Sequence, residues 1–186
     1  MIKEPALGMI EFKSVARGIQ ATDAIVKKAP VKILETHPIC PGKYMVLFAG
    51  EVADVEESLK IGLKVGGDLV INDLFLPYVD RNVIPAITGT NEIKKFGSLG
   101  IVETFSICSC VVAADIAAKA TPVELIEVRL ANGLGGKAYF VMTGELSDVQ
   151  ESTRAATEYV KKDGMLACSE VIADPHPDLL EKGVYW

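Results

Sequence analysis

Four cysteines and two histidines are the residues of this chain that could bind a metal or take part in redox chemistry. Cys40 lies in the turn-forming sequence Ile39-Cys40-Pro41-Gly42, and no Cys-x-x-Cys or Cys/His pair with the spacing of a metal site accompanies it. His37 lies just before this turn, and we expect a solvated or hydrogen-bonded histidine there rather than a metal ligand. The spacing around Cys40 alone therefore does not predict a metal site.

The other three cysteines are predicted to be structural. Cys108 and Cys110 lie two positions apart on a predicted helix, so their side chains point about 200° apart and cannot face one metal. Cys168 lies in the last predicted strand between Leu166 and Val171. We interpret all three as small side chains of the core.

A glycine-rich segment, Asn132-Gly-Leu-Gly-Gly-Lys137, resembles a phosphate-binding turn because such turns expose backbone amides. It lacks the Walker pattern and does not open a helix. We therefore do not predict a nucleotide site here.

The acidic residues and serines of the chain do not form a catalytic set. Glu11 and Glu103 occupy repeated positions rather than acting as paired acid and base, and Ser14 and Ser106 stand where helix N-caps belong. We predict no catalytic residues and no enzymatic activity.

The elements that must position these residues occur twice. Residues 8–35 match residues 100–127 at a constant offset, and the match resumes after a loop that is two residues longer in the second copy. The shared residues include Gly8 and Gly100 near the start, and Gly42-Lys43 and Gly136-Lys137 after the loop. We predict two domains, residues 1–95 and 96–186.

Each copy predicts the order strand, helix, strand, strand, helix, strand. The predicted elements of the first copy cover residues 9–12, 15–27, 31–36, 44–49, 54–65 and 69–76, and the last four of the second cover residues 123–130, 138–143, 148–162 and 165–173. Two strand pairs crossed by two helices form an α+β, ferredoxin-like sandwich whose helices cover one face of the sheet. The segment 78–97 is predicted to be a linker with a short helix.

Composition limits the partners. The net charge is −6 and no basic tract is present, which argues against a nucleic-acid partner. No run of apolar residues could span a bilayer, and residues 1–7 lack the apolar stretch of a secretory signal, so we expect a cytoplasmic protein with no membrane partner. The hydrophobic content of 49% predicts that apolar surface is buried between chains.

Two matching motifs resemble the bacterial microcompartment (BMC) domain. They are the openings Gly-Met-Ile-Glu and Gly-Ile-Val-Glu, and the helix Asp23-Ala-Ile-Val-Lys27 with its second form Asp115-Ile-Ala-Ala-Lys119. Within the tandem-domain form of this family, Ile39-Cys40-Pro41-Gly42-Lys43 and Gly135-Gly136-Lys137 are most similar to the iron–sulfur shell proteins of propanediol-utilisation compartments. The resemblance covers nearly the whole chain.

The resemblance implies a homotrimer that forms a pseudohexagonal shell tile, with a short C-terminal helix after each domain. Three copies of Cys40 would meet at the central axis and hold a [4Fe–4S] cluster, one per trimer, for electron transfer or cluster exchange across the shell. The implied partners are other microcompartment shell proteins and an encapsulated redox enzyme. The implied pore-lining residues are Ile39, Cys40, Pro41, Gly42, Gly133, Leu134 and Gly135, and the implied tile-edge residues are Lys27 and Lys119.

One family feature is missing. The last strand of the family commonly ends in Pro-Arg-Pro-His, whereas the copies here read Leu76-Pro-Tyr and Ala173-Asp-Pro-His. Neither copy supplies the rim arginine, so the usual contact between tiles is in doubt.

Two other functions remain open at this point. The chain could form a metal-free tile whose central pore conducts small metabolites. By fold analogy alone, it could instead be a pair of ferredoxin-like regulatory domains that bind an effector between subunits.

Overall fold

The computed structural model describes residues 6–131 and 133–182. Predictions that concern residues 1–5 and Asn132 lie outside the described residues. The first copy contains β1 (Ala6–Phe12), α1 (Val15–Lys28), β2 (Lys32–Ile39), β3 (Lys43–Gly50), α2 (Val52–Gly66) and β4 (Val70–Leu76). The second contains β5 (Ser98–Thr104), α4 (Ile107–Ala120), β6 (Glu124–Leu130), β7 (Ala138–Gly144), α5 (Leu146–Lys162) and β8 (Leu166–Ile172), with short helices α3 (Val83–Thr88) and α6 (Pro177–Lys182) after the last strand of each copy. The predicted α+β repeat and the short helices are confirmed.

Each copy forms one four-stranded antiparallel sheet. The strand orders are β2-β3-β1-β4 and β6-β7-β5-β8, which are the same order in the two copies. Strand β3 pairs antiparallel with both β1 and β2, so β1 and β2 run parallel to each other with β3 between them. Helix α1 connects these two parallel strands. This is the split β-α-β arrangement of a ferredoxin-like fold.

The helices pack on one face of each sheet. In the first copy, Ile10 and Phe12 of β1 form a buried core with Ile25 of α1 and Val55 of α2. Because successive side chains of a strand point to opposite faces, Met9 and Glu11 lie on the face opposite the helices. The same alternation places Ile101 and Glu103 on the face opposite the helices in the second copy.

A glycine near the start of each copy allows this packing. A Cβ at Gly8 would lie 2.5 Å from the Phe48 ring, and a Cβ at Gly100 would lie 2.6 Å from Met142. The two positions match in the repeat because both must leave room for a large side chain of the neighbouring strand.

The helix starts follow the sequence. The Ser14 hydroxyl accepts a hydrogen bond from the Arg17 amide at 3.3 Å, and the Ser106 hydroxyl accepts one from the Ser109 amide at 3.5 Å. The predicted N-caps are therefore confirmed, and the serines have a structural role.

The chain divides between Val79 and Asp80 into two compact units, called unit 1 and unit 2 below. Residues 80–95, which we assigned to the first domain, group with unit 2. There the Asn91 side chain donates hydrogen bonds to the carbonyls of Leu125 and Ile126, at the bulge of β6. The point at which the chain separates into independently folding domains stays a prediction.

Candidate functional site: the hairpin turns and their ion pairs

The β2–β3 hairpin ends in a short turn that carries Cys40. Ile39 pairs with Lys43, which leaves Cys40, Pro41 and Gly42 in the turn. The Cys40 thiol is exposed and the Cys40–Pro41 peptide bond is cis. Gly42 has a φ of 66°, and a Cβ at this position would have nothing within 4 Å. The turn therefore presents one exposed thiol per chain beside open space.

A buried ion pair fixes the base of this turn. The Lys43 ammonium lies 2.6 Å from Glu11 Oε1, and the Glu11 side chain is fully buried. Glu11 Oε2 has no hydrogen-bond partner among the described residues. A buried carboxylate is stabilised only while its cation stays in place, so this pair holds Lys43, and with it the end of the turn, against the sheet. The sequence marks Glu11 and Lys43 as repeated residues but does not by itself predict that they pair.

The second hairpin has the same base and a longer turn. Leu130 pairs with Ala138, so residues 131–137 lie between the two strands, whereas only residues 40–42 do so in the first hairpin. Counted between residues that match in the repeat, the segment 131–137 is two residues longer than the segment 39–43, as predicted. The backbone needs positive φ at Ala131, Gly133, Gly135 and Gly136. Lys137 pairs with Glu103, whose side chain is 30% exposed.

The predicted pore-lining residues lie on these two turns, one in each unit. In the single chain the side chain of Ile39 is buried, whereas Gly133 and Gly135 are exposed with open space at their Cβ positions. Their role around a central opening stays a prediction, because it depends on other copies of the chain.

His37 is hydrogen-bonded within its own strand. Its Nε2 lies 3.3 Å from Glu35 Oε2 and its Nδ1 lies 3.1 Å from the Pro38 carbonyl oxygen. This agrees with the interpretation of His37 as a hydrogen-bonded histidine.

Two cysteines are buried as predicted. Cys108 and Cys110 lie in α4 and are almost wholly inaccessible. Burial raises the pKa of the Cys110 thiol to about 12. Such a thiol stays protonated at neutral pH, and its burial keeps it out of contact with solutes.

The prediction that Cys168 belongs to the core is wrong. Cys168 is exposed, because β8 is an edge strand and the residue lies opposite Glu103 on the sheet face that the helices do not cover. It lines an open recess of about 350 Å³ together with Ile101, Glu103, Leu134, Tyr139, Ser169 and Glu170. The apolar neighbours of Cys168 in the sequence suggested burial. Apolar residues also occur on edge strands where another molecule packs, so they do not by themselves predict burial within one chain.

The two lysines with an implied tile-edge role are both paired with aspartates one helical turn earlier. Lys27 lies 2.6 Å from Asp23 and Lys119 lies 2.6 Å from Asp115. Asp23 is exposed, whereas Asp115 is 5% exposed and also accepts a hydrogen bond from the Asp80 amide at 2.8 Å. Their position at a tile edge stays a prediction.

Within a single chain, the described residues do not gather three or more His, Cys, Asp or Glu side chains into a group that could hold a metal ion. Across the same ranges, none of the helices has the length and apolar character needed to cross a membrane.

Comparison with known proteins identifies both halves of the chain. The BMC domain model matches residues 6–79 and 98–175. The bacterial microcompartment shell protein PduT of Citrobacter freundii is 40% identical over 94% of this chain and 95% of its own length. The carboxysome shell protein CcmK2 of a Synechocystis strain is 27% identical over 49% of this chain and 94% of its own length, which corresponds to one copy of the repeat.

A solved structure shares the whole architecture. The crystal structure of a microcompartment protein from Desulfitobacterium hafniense is 42% identical to this chain. It superposes with a TM-score of 0.90 and covers 96% of this chain and 99% of its own.

Proposed function

This chain belongs to the BMC-domain family, and from that premise we propose that three copies form a pseudohexagonal tile with an iron–sulfur site at its centre. The protein is a shell protein of a bacterial microcompartment, related to structural proteins rather than to enzymes. Because each chain carries two domains of the same fold, three chains supply six domains around one axis.

The exposed thiol of Cys40 is the observation that carries the cluster proposal. Three copies of the turn at a threefold axis would bring three thiolates together, and thiolate is the ligand that iron–sulfur clusters prefer. The open space at Gly42 allows three turns to approach closely. The donor set of this chain therefore fits a cluster that draws one ligand from each subunit.

The chain's own residues would hold and orient the site. Cys40 would supply the thiolate, and the buried pair of Lys43 with Glu11 would keep each turn in register with its sheet. When bound, a [4Fe–4S] cluster supplies one-electron redox chemistry. Such clusters normally have four protein thiolates, so a site with three needs a non-protein ligand and is labile. A labile redox cluster at this position could transfer electrons across the shell or exchange cluster material across it. For electron transfer, the partner would be an encapsulated redox enzyme.

A metal-free tile with a central pore for small metabolites is the second candidate. The open space around Gly42, Gly133 and Gly135 favours it, because turns without bulky side chains leave a passage between them.

One experiment separates the two candidates. The protein is purified anaerobically, reconstituted with iron and sulfide, and compared with Cys40→Ala and with Cys168→Ala, which removes the other exposed thiol. We expect about four irons per trimer and, after reduction with dithionite, a cluster signal by electron paramagnetic resonance, both lost only in Cys40→Ala. Wild-type protein without bound iron, or an unchanged signal in Cys40→Ala, would leave the pore-bearing tile as the function.

A further inference from the structure

The ring of His37 meets two hydrogen-bond acceptors at once. Its Nε2 lies 3.3 Å from Glu35 Oε2, and its Nδ1 lies 3.1 Å from the Pro38 carbonyl oxygen. A carbonyl oxygen and an ionised carboxylate can only accept, whereas a neutral imidazole has one N–H to donate and the imidazolium has two. Both bonds therefore form together only when the His37 ring carries two protons.

These bonds lie on the strand that leads into the Cys40 turn. β2 is an edge strand with β3 as its neighbour, and Pro38, near its end, has no main-chain N–H. The Pro38 carbonyl is therefore the one main-chain group through which this residue can be hydrogen-bonded, and His37 binds it. On the other strand of the hairpin, Lys43 is held by its ion pair with Glu11. His37 thus does on the β2 side what the buried pair does on the β3 side.

The matching pair of unit 2 keeps its charge at every physiological pH. Glu35 and His37 correspond in the repeat to Glu127 and Arg129, and the Arg129 guanidinium pairs with the Glu127 carboxylate. Arginine stays protonated throughout, whereas histidine is the side chain that ordinarily titrates between about pH 5 and 8. Both copies therefore place a basic side chain beside a glutamate here, and the copy with the Cys40 turn has the one that titrates.

Glu35 is the charged group that faces His37 directly. Within unit 1, β3 and α1 pack on β2. On β3 the residue opposite His37 is Met45, which is uncharged and fully buried, and the nearby Lys43 is already paired with Glu11 of β1. The charged residues of α1 lie beyond the opposite face of the sheet, and they are Arg17, Asp23, Lys27 and Lys28. Loss of a proton from His37 therefore leaves Glu35 without its cation.

We infer that His37, while its ring carries two protons, is the positioning residue that fixes the β2 side of the Cys40 turn, and that loss of one proton loosens the turn. The neutral ring keeps at most one of its two bonds, so the turn is then held mainly from the β3 side through Lys43. Three copies of this turn would form the centre of the proposed tile. The inference deepens the proposed function and rests on it for one consequence, that the three thiols are held in one geometry at low pH and become mobile at high pH.

A spin label on Cys40 measures the mobility of the turn. The label is attached to the full chain with Cys168→Ala, which removes the other exposed thiol, and it is added substoichiometrically so that labels on neighbouring chains do not broaden the spectrum. We expect the electron paramagnetic resonance line shape to show a slow label at about pH 5.5 and a faster one at about pH 8. The midpoint of this change should coincide with the titration of the His37 ring followed by nuclear magnetic resonance.

Three variants assign the change to His37. His37→Arg supplies the permanent cation that unit 2 has at Arg129, and we expect a slow label at both pH values. His37→Gln supplies a neutral donor, and we expect a fast label at both. His176→Gln removes the other histidine of the chain and should behave like the unsubstituted protein. Circular dichroism checks that each variant is folded.

The outcomes separate this inference from the proposed function. A line shape that does not change with pH, or a change that persists in either His37 variant, would overturn the inference. Because the label occupies Cys40, the result does not depend on a cluster. A pH-dependent turn in a protein that binds no iron would retain the positioning role and remove the cluster, whereas iron binding by a chain with a pH-independent turn would do the opposite.

Discussion

Unit 1 and unit 2 have the same strand order and the same placement of helices, yet matching positions differ in what they meet. Glu11 of unit 1 is fully buried with Lys43, whereas Glu103 of unit 2 is 30% exposed with Lys137. On the helices the difference is reversed, because Asp23 of unit 1 is exposed and Asp115 of unit 2 is buried. The comparison teaches that the duplication kept the backbone pattern and that the two copies diverged in which surface each leaves open.

Thiol reactivity gives the largest expected contrast between the units. Burial raises the pKa of Cys110 from 9.0 to about 12, which lowers its thiolate fraction at neutral pH roughly a thousandfold. We expect iodoacetamide to label Cys40 of unit 1 and spare Cys110 of unit 2 in the folded protein, as followed by mass spectrometry. Labelling of both at one rate would contradict the burial of α4.

The two ion pairs should differ in their contribution to stability. Lys43→Met leaves the Glu11 carboxylate buried and unpaired, and we expect it to lower the free energy of unfolding by roughly 3–5 kcal/mol. Lys137→Met should cost at most about 1 kcal/mol, because solvent screens a partly exposed Glu103.

Urea unfolding of both lysine variants measures this difference. Equal costs would show that the two pairs are not distinguished by burial.

Packing between the first helix and its sheet gives a smaller difference in stability between the two units. A Cβ at Gly18 would lie 2.4 Å from the Tyr44 ring, so Gly18→Ala should cost about 1–3 kcal/mol through overpacking. The matching positions in unit 2 hold Cys110 and Ala138, a larger residue on the helix and a smaller one on the strand. We therefore expect a double-mutant cycle between Gly18→Ala and Tyr44→Ala to show favourable coupling, with the double variant more stable than additivity predicts. Additive costs would mean that the two residues do not share one space.

Substitution of the aspartates of the first helices, Asp23 and Asp115, should give the smallest difference in the free energy of unfolding between the two units. Asp115→Asn weakens a buried pair with Lys119 and should lower the free energy of unfolding by about 1 kcal/mol. Asp23→Asn should cost under about 0.5 kcal/mol, as the loss of an exposed pair on a helix does. Thermal unfolding of both variants measures the difference, and equal costs would contradict the difference in burial between the two aspartates.

The repeat and its periodicity were enough to predict the elements, the α+β class and the two extra residues of the second turn. The helix starts at Val15 and Ile107 follow from local chemistry, since a serine before each helix caps it. These features depend on neighbours in the sequence, which is why one sequence predicts them.

Exposure was harder to predict. Cys168 and Cys110 both stand among apolar residues, yet one lies on an open sheet face and the other inside a helix packed on its sheet. The pairing of Glu11 with Lys43 depends on a strand register that brings residues of β1 and β3 together from distant parts of the chain. Such facts depend on tertiary contacts, and a residue's type and immediate neighbours do not determine them.

The unequal turns of the two hairpins have a consequence for stoichiometry. In a ring of six identical domains, any residue introduced into the central turn would be present six times around the axis. A fused chain with a cysteine in the first turn and none in the second delivers three thiols to the axis. In the proposed tile, gene fusion is thus what turns a sixfold opening into a site with the ligand number of three.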